Sequence, residues 1–122
     1  MLYGEINIMC DIRSKNTISP MDHSLAYEAM KSQPSETFKY NSQPDQTKLG
    51  HIAQEIMDKP YFRDLVAEHH IDDKTSRYVL NEQGVTYVAY SALRHLICKF
   101  ESMERELADL KAYVRRKLER KN

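Results

Sequence analysis

The run from Leu93 to Val114, LRHLICKFESMERELADLKAYV, decides the architecture. Its apolar residues fall at Leu93, Leu96, Phe100, Met103, Leu107, Leu110 and Val114, with spacings that alternate between three and four. That is the repeat of a coiled-coil seam, sustained here over about three heptads. With Leu93, Phe100, Leu107 and Val114 at a and Leu96, Met103 and Leu110 at d, Lys99 and Glu106 take g, and Glu104 and Lys111 take e. In a parallel assembly Lys99 of one chain faces Glu104 of the next, and Glu106 faces Lys111. Antiparallel packing sets g against g and loses the match, although each exposed pair is worth under about 1 kcal/mol. The seam therefore predicts a parallel bundle of identical helices. A single amphipathic helix packed on its own domain is the alternative. Left uncovered, a seam of this length is a large apolar stripe in water. The side chains at a and d carry no β-branched pattern of the dimer type, so they leave the strand number open.

Working outward, Ser91 is the predicted cap of this helix, which then runs to about Arg120 without Gly or Pro. Before it, Val85 to Val88 reads as a strand, preceded by a turn at Asn81-Glu82-Gln83-Gly84. The polar Asp72-Asp73-Lys74 between Leu65-Val66 and Tyr78-Val79-Leu80 predicts a hairpin. Leu49 to Ile56 begins as a strand and turns helical near Gln54, until Lys59-Pro60 stops it. Glu36 to Tyr40 is a short strand, and Asn41 to Lys48 is a polar loop. Asp22 caps a short helix carrying Leu25, Ala26, Ala29 and Met30, which Pro34 closes. At the start, Leu2 to Met9 alternates as a half-buried strand does and delivers Cys10 at its end.

A chain of 122 residues is one small domain, and folding alone would bury only about two thirds of its unfolded surface. Charged residues make up 30% and hydrophobic ones 41%, and 18 basic residues balance 18 acidic ones, so net charge selects no partner. No apolar run approaches the roughly 20 residues that cross a bilayer, and the start has no basic segment followed by an apolar one. The chain reads as soluble and unexported. Cys10 and Cys98 form no disulfide framework, and the absence of CxxC removes the usual redox and zinc patterns.

Cys10-Asp11-Ile12-Arg13-Ser14-Lys15 sets a thiol five positions before an amine. A thiol attacks a carbonyl after losing its proton, and an amine can take that proton. The spacing resembles the Ser-Asp-x-Arg-x-Lys motif of the intramolecular chaperone and auto-processing domains at the C-termini of phage tail spikes, tail fibres and neck appendages, with Cys10 where that family has serine. Asn16 to Pro20 with Ser24-Leu25 resembles the family's K-x-N-I-x-P-x-x-x-A-L stretch, and Phe38-Lys39-Tyr40 its next aromatic strand. Gly50 to Ile56 is similar to G-F-I-A-Q-E-V, and Val88 to Leu93 to V-D-Y-S-x-L. Together these cover about Met9 to the C-terminus.

The resemblance implies an α+β fold of small strands and short helices, followed by a long C-terminal helix in a parallel trimeric coiled coil. It implies three regions: residues 1–9 as the end of an upstream fibre segment, 10–90 as the chaperone and processing region, and 91–122 as the coiled-coil helix. The scissile bond it implies is Met9–Cys10. Cys10 Sγ would attack the Met9 carbonyl, Lys15 would take the thiol proton and return one to the departing amine, and water would release Met9. Gln54 would be an oxyanion donor. Implied with these are a homotrimer, the upstream fibre as partner, no cofactor, and assembly in the host bacterial cytoplasm before the fibre joins the virion tail. A trimerisation domain with dead chemistry is the first alternative. The second is the related processing domain of membrane-tethered transcription factors.

Other features are read as structural. His69-His70 with Asp72-Asp73 lacks a second cluster for a metal, since adjacent strand histidines point to opposite faces. His51 is expected to pack or hydrogen-bond, and His95 and Cys98 are read as rim residues. Arg115, Arg116, Lys117, Arg120 and Lys121 follow the heptads, whereas basic coiled-coil transcription factors carry their basic region ahead of them. Cations at a helix C-terminus complement its dipole, so neither nucleic acid nor membrane is expected as a partner.

Overall fold

A computed structural model describes residues 8–121. In chain order it contains a tight turn at Ile12–Ser14, helix α1 (His23–Lys31), strands β1 (Glu36–Phe38) and β2 (Lys48–Gly50), and helix α2 (Ala53–Ile56). A second turn at Arg63–Leu65 leads to strands β3 (Val66–His70) and β4 (Ser76–Leu80) and to helix α3 (Glu82–Arg120). The strands form two separate antiparallel ribbons, β1 with β2 and β3 with β4. The fold is therefore α+β and ends in a long helix. The strand expected over Leu2 to Met9 lies outside the described residues except for Ile8 and Met9, which are irregular.

Local chemistry explains several of these elements. Asp22 caps α1, its Oδ1 accepting from Leu25 N at 3.0 Å. The hairpin pairs Val66 with Leu80 through His70 with Ser76, and Asp72 Oδ1 accepts from Lys74 N at 2.8 Å in its turn. In the other ribbon Glu36 pairs with Gly50. A side chain at Gly50 would come within 3.1 Å of Phe38 Cε1, so glycine lets that ring lie across the ribbon.

One element differs from expectation. Val85 to Val88 is helical, and Asn81 rather than Ser91 caps α3, its Oδ1 accepting from Gly84 N at 3.2 Å. Tertiary packing overrides the β-branched run there. Val88 and Ala92 sit four apart on one helix face and are buried with Ala26 and Ala29 of α1. Ser91 is buried at 2% exposure, with its hydroxyl paired to His23 Nδ1. Gly84 stands in the first turn of the helix, where a Cβ would collide with Leu65 Cδ2 and lie 3.0 Å from Cδ1. Gly84→Ala is therefore expected to destabilise the domain by about 1–3 kcal/mol, measured by denaturant unfolding, although alanine is the better helix former.

Ile56 and Phe62 complete the core, flanked by Met21, Tyr27, Tyr61, Leu65, Val66, Leu80 and Val85. Tyr61 takes a left-handed backbone, φ 67°, and its hydroxyl accepts from Asp22 N at 2.7 Å. That bond ties the α2–β3 connection to the start of α1 and offsets the local strain.

The core is small for the chain. The molecule exposes 10820 Å², whereas a globular monomer of this length exposes about 6,800 Å². Helix α3, whose 39 residues extend about 58 Å, is exposed over most of its length. Helix α1 lies against its first half, where Tyr27 packs on His95 at 4.9 Å between ring centroids and Lys99 Nζ sits 4.9 Å over the Tyr27 ring.

Glu36 and Glu55 face each other between β1 and α2. Their mutual hydrogen bond, then burial and like-charge repulsion, raise the Glu36 carboxyl above its ordinary value of 4.5. A raised acid stabilises the fold while protonated, so this contribution is present below the ordinary glutamate range and is lost as pH rises through the folded value. Glu36→Gln should make stability less pH-dependent across that range, with the gain over wild type on the neutral side. Chemical denaturation on both sides of the range measures the difference between the two proteins.

Candidate functional site

The site begins with a turn. Asp11 Oδ1 accepts from Arg13 N at 2.8 Å, Ser14 N donates to Asp11 O at 3.0 Å, and Lys15 N donates to Ile12 O at 3.1 Å. These three bonds fold residues 11–15 back on themselves, so that side chains five apart in sequence meet. Lys15 Nζ lies 3.7 Å from Cys10 Sγ, within hydrogen-bonding reach of sulfur. Both residues are exposed, as is every residue from Ile8 to Pro20.

Arg13 is committed to Asp11. Its Nη2 donates to Asp11 Oδ2 at 2.6 Å and its Nε to Oδ1 at 3.0 Å, a two-pronged pair. The side-chain bond to Arg13, and then the backbone bond from the same residue, hold the Asp11 carboxyl below its ordinary value. In the structure Asp11 and Arg13 compensate each other, and Lys15 is the amine in contact with the sulfur.

A depressed carboxyl supports the fold while ionised, so the Asp11 contribution is present above the ordinary aspartate range and is lost only as pH falls through the lowered value. The turn thus keeps its ionised cap through mildly acidic conditions. Asp11→Ala is expected to slow any reaction that needs the sulfur and amine together by several-fold. A rate measurement on the intact chain checks this, with Arg13→Ala giving the smaller effect because the Asp11 cap on the backbone survives.

Gln54 is not part of this grouping in the single chain. It lies exposed on α2 and lines a groove of about 750 Å³ with Phe38, Tyr40, His51, Arg77 and Tyr78. Neither Cys10 nor Lys15 lines that groove. His51 packs toward Phe62, 6.2 Å between ring centroids.

The seam residues form a second surface feature. Leu93, Leu96, Phe100, Met103, Leu107, Leu110 and Val114 are all exposed, from 45% at Val114 to 64% at Met103. Ile97 and Leu118, at e positions of the same register, widen the stripe. Helix α1 covers a different face of α3, carrying Val88, Ser91, Ala92, His95 and Lys99 at c, f and g positions. The domain's own packing therefore leaves a and d open, and the idea of a helix laid on its own domain along the seam does not hold. Cys98, at f, is exposed away from the a and d positions.

Sequence reading missed the His23–Ser91 pair and the Glu36–Glu55 contact. The first joins residues 68 apart in the chain, and no spacing rule connects such partners. Ser91 is too buried to meet a substrate, so the pair satisfies a polar group in the core.

Among the described residues no group of three or more His, Cys, Asp or Glu side chains is placed to hold a metal ion, and no helix is long and apolar enough to cross a membrane. The chain matches no protein-family model and no curated protein.

Proposed function

We propose that this chain is an intramolecular chaperone that trimerises through α3, holds three copies of an upstream fibre or spike segment in register while they fold, and is released by cleavage of its own Met9–Cys10 bond. The observation that carries the reading is the 3.7 Å approach of Lys15 Nζ to Cys10 Sγ across a turn capped by Asp11. The open a and d face of α3 supports the assembly half, because apolar side chains at heptad spacing are covered in water only by other helices.

In the reaction, Cys10 Sγ attacks the Met9 carbonyl carbon while Lys15 Nζ accepts the thiol proton. The carbon–nitrogen bond breaks as Lys15 returns the proton to the leaving amine, and a thioester joins Met9 to Cys10. Water then adds to the thioester, Met9 leaves as a carboxylate, and the thiol is restored. The resemblance supplies Gln54 as oxyanion donor. Because Gln54 lines a separate groove in the single chain, its contribution would come from a neighbouring chain in the trimer.

A trimerisation domain without cleavage is the second reading. It is favoured by the full exposure of the Cys10–Lys15 turn, since catalytic electrostatics gain most where water is excluded. Intact mass after incubation, read alongside native mass, separates the two. Loss of the segment ending at Met9 from a three-chain species is the expected result. A three-chain species of unchanged mass selects the second reading, and a monomer overturns both.

A further inference from the structure

We propose that the Cys10 site is open to acceptors other than water, so that the upstream chain can be passed to a small thiol as a thioester. The inference rests on the cleavage reading and extends it to the identity of the acceptor. Its first ground is steric. Cys10 and Lys15 stand on a segment exposed from Ile8 to Pro20, with Met9 at 73% and Ile12 at 71% exposure. Among the described residues of the single chain no packed element covers the sulfur, so none of them bars a small thiol from it.

The second ground is chemical. A serine at this position would hold the acyl group as an oxygen ester, which thiols attack poorly. Cysteine holds it as a thioester, whose weaker carbonyl conjugation and better leaving group make it a ready acceptor of thiolates. Thiolates also outcompete water as nucleophiles at neutral pH. Lys15 Nζ, within reach of the sulfur, is placed to take the proton of an incoming thiol as it takes that of Cys10.

The step balances without an oxidant or reductant. The acceptor R–SH gives its proton to Lys15, and the R–S sulfur bonds to the Met9 carbonyl carbon. The bond from that carbon to Cys10 Sγ breaks, and Lys15 returns the proton to Sγ. The products are an upstream chain ending in a Met9 thioester and a downstream chain beginning with Cys10, carrying a free amine and a free thiol.

The test uses the full chain with and without 2-mercaptoethanesulfonate, following the released segment by mass spectrometry. The expected result is a segment carrying the added thiol at Met9 and a release rate that rises several-fold with thiol. Cys10→Ser, which forms the oxygen ester, is expected to release the segment with no thiol adduct. Release as the free acid alone, at one rate with or without thiol, overturns the inference and leaves the cleavage reading standing. No release under either condition, or with hydroxylamine as a stronger nucleophile, means that no thioester forms and overturns both. Adduct formation by Cys10→Ala would assign the chemistry elsewhere and also overturns it.

Discussion

Cys10→Ala is expected to abolish shortening of the chain, Cys10→Ser to retain or increase it, and Lys15→Ala to slow it by about a hundredfold or more. These differences come from the order of events at the turn. In the proposed reaction the sulfur is deprotonated as it attacks, and Lys15 Nζ, 3.7 Å away, is the amine within reach to act as base. Alanine at position 10 removes the atom proposed to form the acyl bond, so that path is closed. Serine is the residue type of the resembling family, and its hydroxyl is a less acidic nucleophile than the thiol. The readout is intact mass against time. Shortening of Lys15→Ala at the wild-type rate would exclude Lys15 as the base, whatever the fate of the Cys10 variants.

Leu107→Glu should dissolve the assembly. Leu107 occupies an a position in the middle of the seam and is 52% exposed in the single chain. In a trimer three copies of this side chain form one core layer, and burying each is worth about 2 kcal/mol. Glutamate removes that gain three times over and brings three like charges together at the axis, where desolvation compounds the repulsion. Sedimentation at micromolar concentration should show monomers. The helical signal should fall too, because in the proposed trimer the part of α3 beyond its contact with α1 is held by neighbouring helices. Cys98→Ser, at an f position on the same helix, is the matched control and should sediment as wild type does. A trimer that survives Leu107→Glu would disprove the seam register.

Sequence by itself determined the elements whose causes are local. Asp22 caps α1 because a carboxylate three residues before a free amide can hardly do otherwise. The Asp72 turn sets the β3–β4 hairpin, and the three-four spacing of Leu93 to Val114 marks the apolar stripe of α3. The meeting of Cys10 with Lys15 is of the same kind, since the bonds that fold the turn span only two or three residues. Tertiary structure alone decided where α3 begins, which face α1 covers, and which groove Gln54 lines. Val85 to Val88 carries a β-branched composition that suits a strand, and only burial of Val88 and Ala92 against Ala26 and Ala29, with Leu65 pressed over Gly84, makes it helix. Those contacts join segments tens of residues apart, and periodicity along one stretch of chain holds no information about which distant surface will cover it.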